Sequence, residues 1–235
     1  MEKLLSASPL LDFNHPALRD LISEKKWQTL KTIDQVKAIY DFVRNEIAFG
    51  YNRADEIPAS EVLADGFGQC NTKATLFMAL LRALHIPCRM HGFTIHKALQ
   101  KGPLRGIWYQ LSPTYIVHSW VEVLVEGEWY HMEGLILDQP YLTKLQQLNP
   151  NCTTFCGFGV YTDAFQAPPV DWNMNHTYIQ HKGIHDDFGL FDSPDEFYAK
   201  HRQALGKIKT FIFTHWVRHR MNAQVARIRS WKAKN

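Results

Sequence analysis

Three residues of this chain combine a reactive side chain with a setting that suits chemistry: Cys70, His118 and Glu133. Cys70 stands in Gly66-Phe67-Gly68-Gln69-Cys70-Asn71-Thr72-Lys73, where two glycines loosen the backbone just before a strongly helical run. The first turn of a helix has free N–H groups and a partial positive charge, which favour a thiolate over a thiol. A thiol of lowered pKa is nucleophilic, whereas one buried in apolar surroundings is inert. Taken alone, Cys70 fits a structural cysteine at a tight loop better than a reactive one. Nucleophilic chemistry also needs a base to accept the thiol proton and a third group to orient that base.

The segments carrying His118 and Glu133 can meet that need. Residues 115–125 alternate as a strand, Glu126-Gly127 fits a tight turn, and residues 128–133 return. With a two-residue loop, Val125 faces Glu128, so His118 lies opposite Leu135 and Glu133 opposite Trp120. His118 and Glu133 then become diagonal neighbours on one face, about 6–8 Å apart at Cβ. Asp138 has the wrong parity and falls on the other face.

The remaining elements follow from spacing. Apolar residues at helical intervals predict a helix over residues 16–31, a second from about Asp34 with Val36, Ile39, Tyr40, Val43 and Ile47 on one stripe, and a short one from Ser60 to Leu63. Ala74, Phe77, Leu80, Leu81 and Leu84 predict a buried face for the helix that Cys70 opens, and His85-Ile86-Pro87 ends it. Residues 88–95 read as a strand. Residues 97–114 show no period and form either a substrate-contacting flap or a surface insertion. Beyond Pro140 the pattern weakens. Residues 149–169 are loop-like, and residues 171–190 are aromatic and histidine-rich without a period. Ser193-Pro194-Asp195-Glu196 has the composition of a helix start, and a long basic helix is expected from there to the end.

The segments GFGQCNTKATLFMALLRALHIPCR, HSWVEVLVEGEW and YHMEG together resemble the transglutaminase-like superfamily of papain-type thiol enzymes. The likeness covers roughly residues 35–140. It implies an α+β fold in which N-terminal helices pack on an antiparallel sheet. It also implies that Cys70 is the nucleophile, His118 the general base and acid, and Glu133 the third member, with Trp120 and Glu122 structural. Two positions depart from the family pattern: Glu133 replaces an aspartate, and His85 stands where glycine precedes Ile-Pro. The implied reaction is acyl transfer at amide bonds of a peptide or protein through a thioester, with no cofactor. The oxyanion would be met by the Cys70 backbone N–H and a second donor, for which Gln69, Tyr51 and Asn52 are open candidates. A non-catalytic peptide- or protein-binding module that keeps the fold is the alternative.

Composition sets the outer limits. At 235 residues and 46% hydrophobic, the chain can bury one generous core or two small ones. We expect a core over 1–145 and an extension over 146–235 packed on it, within one structural domain. No apolar run is long enough to span a membrane, the N-terminus lacks a signal-like stretch, and four cysteines do not make a disulfide scaffold. A cytoplasmic setting is the expectation. No phosphate-binding glycine motif is present, so nucleotide chemistry is unsupported, and no nucleic-acid partner is expected. Lys200–Asn235 holds ten Lys and Arg and no acid. The net charge of +3 therefore hides a tail of +10 and a body of −7. The tail helix, over residues 207–235, carries an apolar stripe of Ile208, Phe211, Ile212 and Trp216. We expect this stripe to pack on the body, with contact at a membrane surface as the weaker alternative. Cys152, Cys156, His176, His181 and His185 could ligate zinc only at looser spacing than closed sites use, and no metal is expected. His215 and His219 read as a solvated face.

Overall fold

The computed structural model describes residues 2–231. Its N-terminal third is helical: α1 (Pro16–Glu24), α2 (Thr32–Asn45), α3 (Ala59–Asp65) and α4 (Cys70–Ala83). The helix expected over 16–31 is split, because Lys26 adopts a left-handed conformation (φ 55°) and a short 3-10 turn, Trp27–Thr29, follows. Between these helices, two-residue strands β1 (Ala48–Phe49) and β2 (Phe67–Gly68) pair in parallel and bring the end of α2 alongside the entry to α4.

Four strands form the main sheet in the order β5-β4-β3-β8, all antiparallel: β3 (Cys88–His96), β4 (Tyr115–Val125), β5 (Glu128–Met132) and β8 (Ile184–Phe191). A separate hairpin, β6 (Phe155–Gly157) with β7 (Val160–Thr162), lies in the stretch expected to be loop. The hairpin register is the one expected, from Val125 opposite Glu128 to Val121 opposite Met132. Glu126 and Gly127 both have positive φ (50° and 90°), as a two-residue turn matched to strand twist requires. The ladder stops at Met132, one residue short of expectation, and Glu133 turns into helical backbone (φ −94°, ψ −29°). Strand β8 is a correction. Seven of its eight residues lie in the stretch read as having no period, and two register shifts against β3 break the alternation that would have marked it.

α4 is buried nearly all round, as its apolar composition requires, with Leu76, Phe77, Leu80 and Leu81 fully enclosed between the other helices and the sheet. A second apolar cluster joins Phe49, Tyr51, Leu137, Tyr141 of α6 (Gln139–Leu148) and Phe165 to Val217, Met221 and Val225 from the C-terminal segment. That segment is not one continuous helix. α7 (Pro194–Lys200) is capped by Ser193, whose hydroxyl accepts the Glu196 N–H, as the Ser-Pro-Asp-Glu pattern predicts. After a break come α8 (Gly206–Ile212), a widened π turn (Phe213–Val217) and α9 (Arg218–Arg229). Residues 232–235, included in the expected basic helix, lie outside the described residues. The expected apolar stripe also splits: Ile212 packs inward, while Ile208, Phe211 and Trp216 face out. No helix among the described residues is long and apolar enough to cross a membrane.

Candidate active site

Cys70 is the first residue of α4, and the helix start is tightly built. The Gln69 N–H donates to the Thr72 hydroxyl at 3.1 Å, and that hydroxyl donates to Asn52 Oδ1 at 2.6 Å. One residue on, Asn71 ties the helix to β4. Its amide donates to the Val117 carbonyl at 3.0 Å and its carbonyl accepts the Ser119 hydroxyl at 2.9 Å. Asn71 thus grips the two residues flanking His118, which fixes the Cys70 end of the helix against the strand.

His118 and Glu133 are both buried, with His118 Nε2 3.1 Å from Glu133 Oε1. The other carboxylate oxygen accepts three consecutive backbone N–H groups, from Ile179 (2.8 Å), Gln180 (2.9 Å) and His181 (3.0 Å). The strap carrying them is held parallel to the end of β5 by Thr177, whose carbonyl accepts the Glu133 N–H at 3.1 Å. The longer side chain of glutamate is used in full, one oxygen anchored by the strap and the other on the imidazole. His118 Nδ1 is buried and closes no ordinary hydrogen bond. Burial pushes the pKa of this imidazole down, but the neighbouring Cys70, by charge and sulfur contact, and then Glu133 outweigh it and raise the value to about 10. With Nε2 committed to Glu133, Nδ1 is the nitrogen left to Cys70.

A cavity of about 450 Å³ opens beside Cys70, which is half-buried. Gln69 and Tyr51 both line it, whereas Asn52 does not. The Asn52 side chain is wholly used inside the fold: its amide donates to Asp65 and the Phe67 carbonyl, and its oxygen accepts from Thr72. Gln69 accepts the Asn52 N–H at 2.8 Å and donates one amide proton to Asp55 at 2.9 Å, leaving the second free. Tyr51 is buried beside Cys70, and burial together with the sulfur's charge raises its phenol pKa. The stretch 97–114 supplies Gln100, Leu104, Trp108 and Leu111 to the cavity wall, with helix α5 (Gly106–Leu111) at its rim.

Several participants are not apparent from sequence. Asp55 enters from the loop after β1, and burial raises its pKa against the hydrogen bond from Gln69. Tyr198 of α7 closes the far wall with its hydroxyl buried and unpaired. The 177–181 strap contributes only backbone, so no residue type there could mark it. Asn71 has the one available signal, an amide side chain directly after the cysteine at the helix start.

Glu122 belongs to a structural network on the same face of β4. It pairs with Arg89 at 2.7 Å and His91 at 2.9 Å. Burial opposes these partners, which nonetheless hold its carboxyl down at about 2. Trp120 packs between the His91 and His131 rings. The residues weighed as zinc ligands are dispersed. His176 accepts the His131 N–H, and His185 lies against Tyr115 at 3.9 Å. Among the described residues, no three His, Cys, Asp or Glu side chains gather as a metal site. All four cysteines are free.

Comparison with known proteins adds the family. No curated protein matches the chain. Among solved structures, it is similar to a Cytophaga hutchinsonii protein provisionally described as a cysteine protease, at 17% identity and a TM-score of 0.45. The match covers 82% of this chain and 47% of that one, so the chain spans about half the length of this neighbour. The model of the transglutaminase-like superfamily matches residues 19–134, a span that holds Cys70, His118 and Glu133 but not the 177–181 strap that anchors the Glu133 carboxylate. Over that span, just under half of the chain, the protein is similar to the transglutaminase-like superfamily.

Proposed function

We propose that this protein is a thiol enzyme that acts on amide bonds of peptides or proteins by acyl transfer, with Cys70 as nucleophile, His118 as proton carrier and Glu133 as its orienting partner. The observation that carries this reading is the buried His118. Its Nε2 is fixed on Glu133, its Nδ1 is unpaired, and Cys70 at the start of α4 is the neighbour that raises its pKa.

The thiol proton passes to His118 Nδ1, and the sulfur attacks the amide carbonyl carbon. Negative charge moves to the carbonyl oxygen, where the Cys70 backbone N–H meets it, with the free amide proton of Gln69 or the Tyr51 hydroxyl as second donor. The C–N bond breaks as His118 returns its proton to the departing nitrogen, leaving a thioester. Water, or a second amine, then gives its proton to His118 as it attacks the thioester, and the sulfur leaves with that proton. Glu133 keeps Nε2–H pointed at itself throughout, so only Nδ1 turns over.

The test is peptide-resolved iodoacetamide labelling with a peptide amide in parallel. Cys70 should label fastest of the four cysteines and carry the acyl group in acid-quenched samples, and His118→Ala should abolish both behaviours. Cys88, enclosed and raised to about 11 by burial, should label slowest. Uniform labelling insensitive to His118→Ala, with no trapped acyl group, would instead favour a binding module on the same fold.

A further inference from the structure

The C-terminal helices carry exposed side chains that this chemistry does not use. Ile208, Phe211 and Trp216 are 78%, 54% and 57% exposed. They cluster: Phe211 stacks on His215 at 4.1 Å and meets Trp216 edge-on at 5.8 Å. Across the cavity mouth, α5 leaves Ile107 and Leu111 exposed, and Lys209 Nζ donates to the Leu111 carbonyl at 3.4 Å, so both helices form one rim. In a regular helix Trp216, four residues after the inward-facing Ile212, would face inward too. The π turn over 213–217 inserts one residue, so Val217 takes the inward place and Trp216 is turned out. The fold therefore buries the inner face of this segment without these aromatics, and the rim exceeds the scattered apolar residues of an ordinary surface.

Charge selects the occupant. Between Lys200 and Trp231 the sequence has eight Lys and Arg and no acid. Lys200, Arg202 and Arg229 pair with Glu196, Glu56 and Asp138. Lys207, Lys209, Arg220 and Arg227 are exposed and have no carboxylate partner among the described residues. Aromatic and aliphatic side chains beside unpaired cations are the composition of a surface that enters a headgroup layer. We infer that the α5–α8 rim docks on an anionic lipid bilayer. Ile107, Leu111, Ile208, Phe211 and Trp216 enter the acyl boundary, Lys207 and Lys209 meet the phosphates, and the mouth of the Cys70 cavity faces the headgroups. Docking needs no thiol chemistry, so this inference and the proposed reaction fail separately.

The experiment is sedimentation of the full chain with phosphatidylcholine vesicles, with and without phosphatidylglycerol. Binding should require the anionic lipid and weaken as salt is added. Lys207→Glu should reduce partitioning by roughly fivefold or more, and Phe211→Ser with Trp216→Ser by roughly tenfold or more, with vesicle-free alkylation of Cys70 unchanged as the check on folding. Independently, brominated lipid should quench indole fluorescence in the wild type and less in Trp216→Phe. Sedimentation that ignores phosphatidylglycerol, variants that bind like the wild type, or binding only to an acidic soluble protein would overturn the inference.

Discussion

Replacing Glu133 by glutamine separates the placement of the imidazole from its protonation. In the wild type Oε2 accepts three backbone N–H groups while Oε1 meets His118 Nε2. Three donors demand an acceptor, so the carbonyl oxygen of the new side chain takes the Oε2 place and its amide nitrogen aims an N–H at Nε2. Nε2 must then accept, the proton moves to Nδ1, and Nδ1 can no longer take the thiol proton. The rise of His118 from 6.5 to about 10 corresponds to about 5 kcal/mol in favour of the imidazolium. Cys70 is the larger favourable contributor. Losing a hydrogen bond to a charged group costs about 2 kcal/mol, roughly thirtyfold in the population of the thiolate–imidazolium pair. Iodoacetamide labelling of Cys70 near neutral pH, read by mass spectrometry, should slow by about that factor. Turnover of an amide substrate should fall by roughly a thousandfold or more, as when a serine-protease triad loses its charge. A labelling rate within about threefold of wild type, with an unchanged melting curve, would refute the reasoning.

The same ionisation sets a pH dependence. A raised histidine pKa contributes stability that is whole below about 6.5 and lost as the pH climbs through about 10. Lys73, lowered to about 7 by burial, works in the opposite sense, its penalty shrinking as the pH rises from 7 towards 10.5. The measurement is therefore the difference between wild type and Glu133→Gln in urea midpoint, which should narrow as the pH passes from 6.5 to 10. Arg229→Ala removes the ion pair to Asp138, which is 2% exposed and also accepts the Phe49 and Tyr141 N–H groups. An unpaired buried carboxylate should cost about 3 kcal/mol in urea denaturation. His85→Gly should stabilise by about 1 kcal/mol, because His85 ends α4 at φ 58°, where a β-carbon is unfavourable; an unchanged or lowered melting temperature contradicts this.

The placement of the candidate site residues was largely local and hence legible. A cysteine after two glycines at a helix start, a two-residue turn and strict alternation along residues 115–125 are short-range patterns. Together they set the register that brings Glu133 near His118. The family's glycine before Ile-Pro has the same origin, since the chain needs a left-handed residue there and spends a histidine on it. The tertiary structure decided what depends on distant segments. Glu133 leaves the strand, and its carboxylate is anchored by the backbone of residues 179–181, a contribution independent of side-chain type. Asn52, an open candidate for the oxyanion, is consumed by contacts to Asp65, Phe67 and Thr72. Strand β8 is invisible because its bulges destroy the period of two. One extra residue in a helical turn sends Trp216 outward, a displacement that a hydrophobic pattern read at 3.6 residues per turn cannot register. Nearest-neighbour sterics and periodicity are written in the order of residues, whereas the backbone donors that hold a carboxylate, and the residue that takes the inward place on a helix, are fixed only when segments far apart in the chain are packed together.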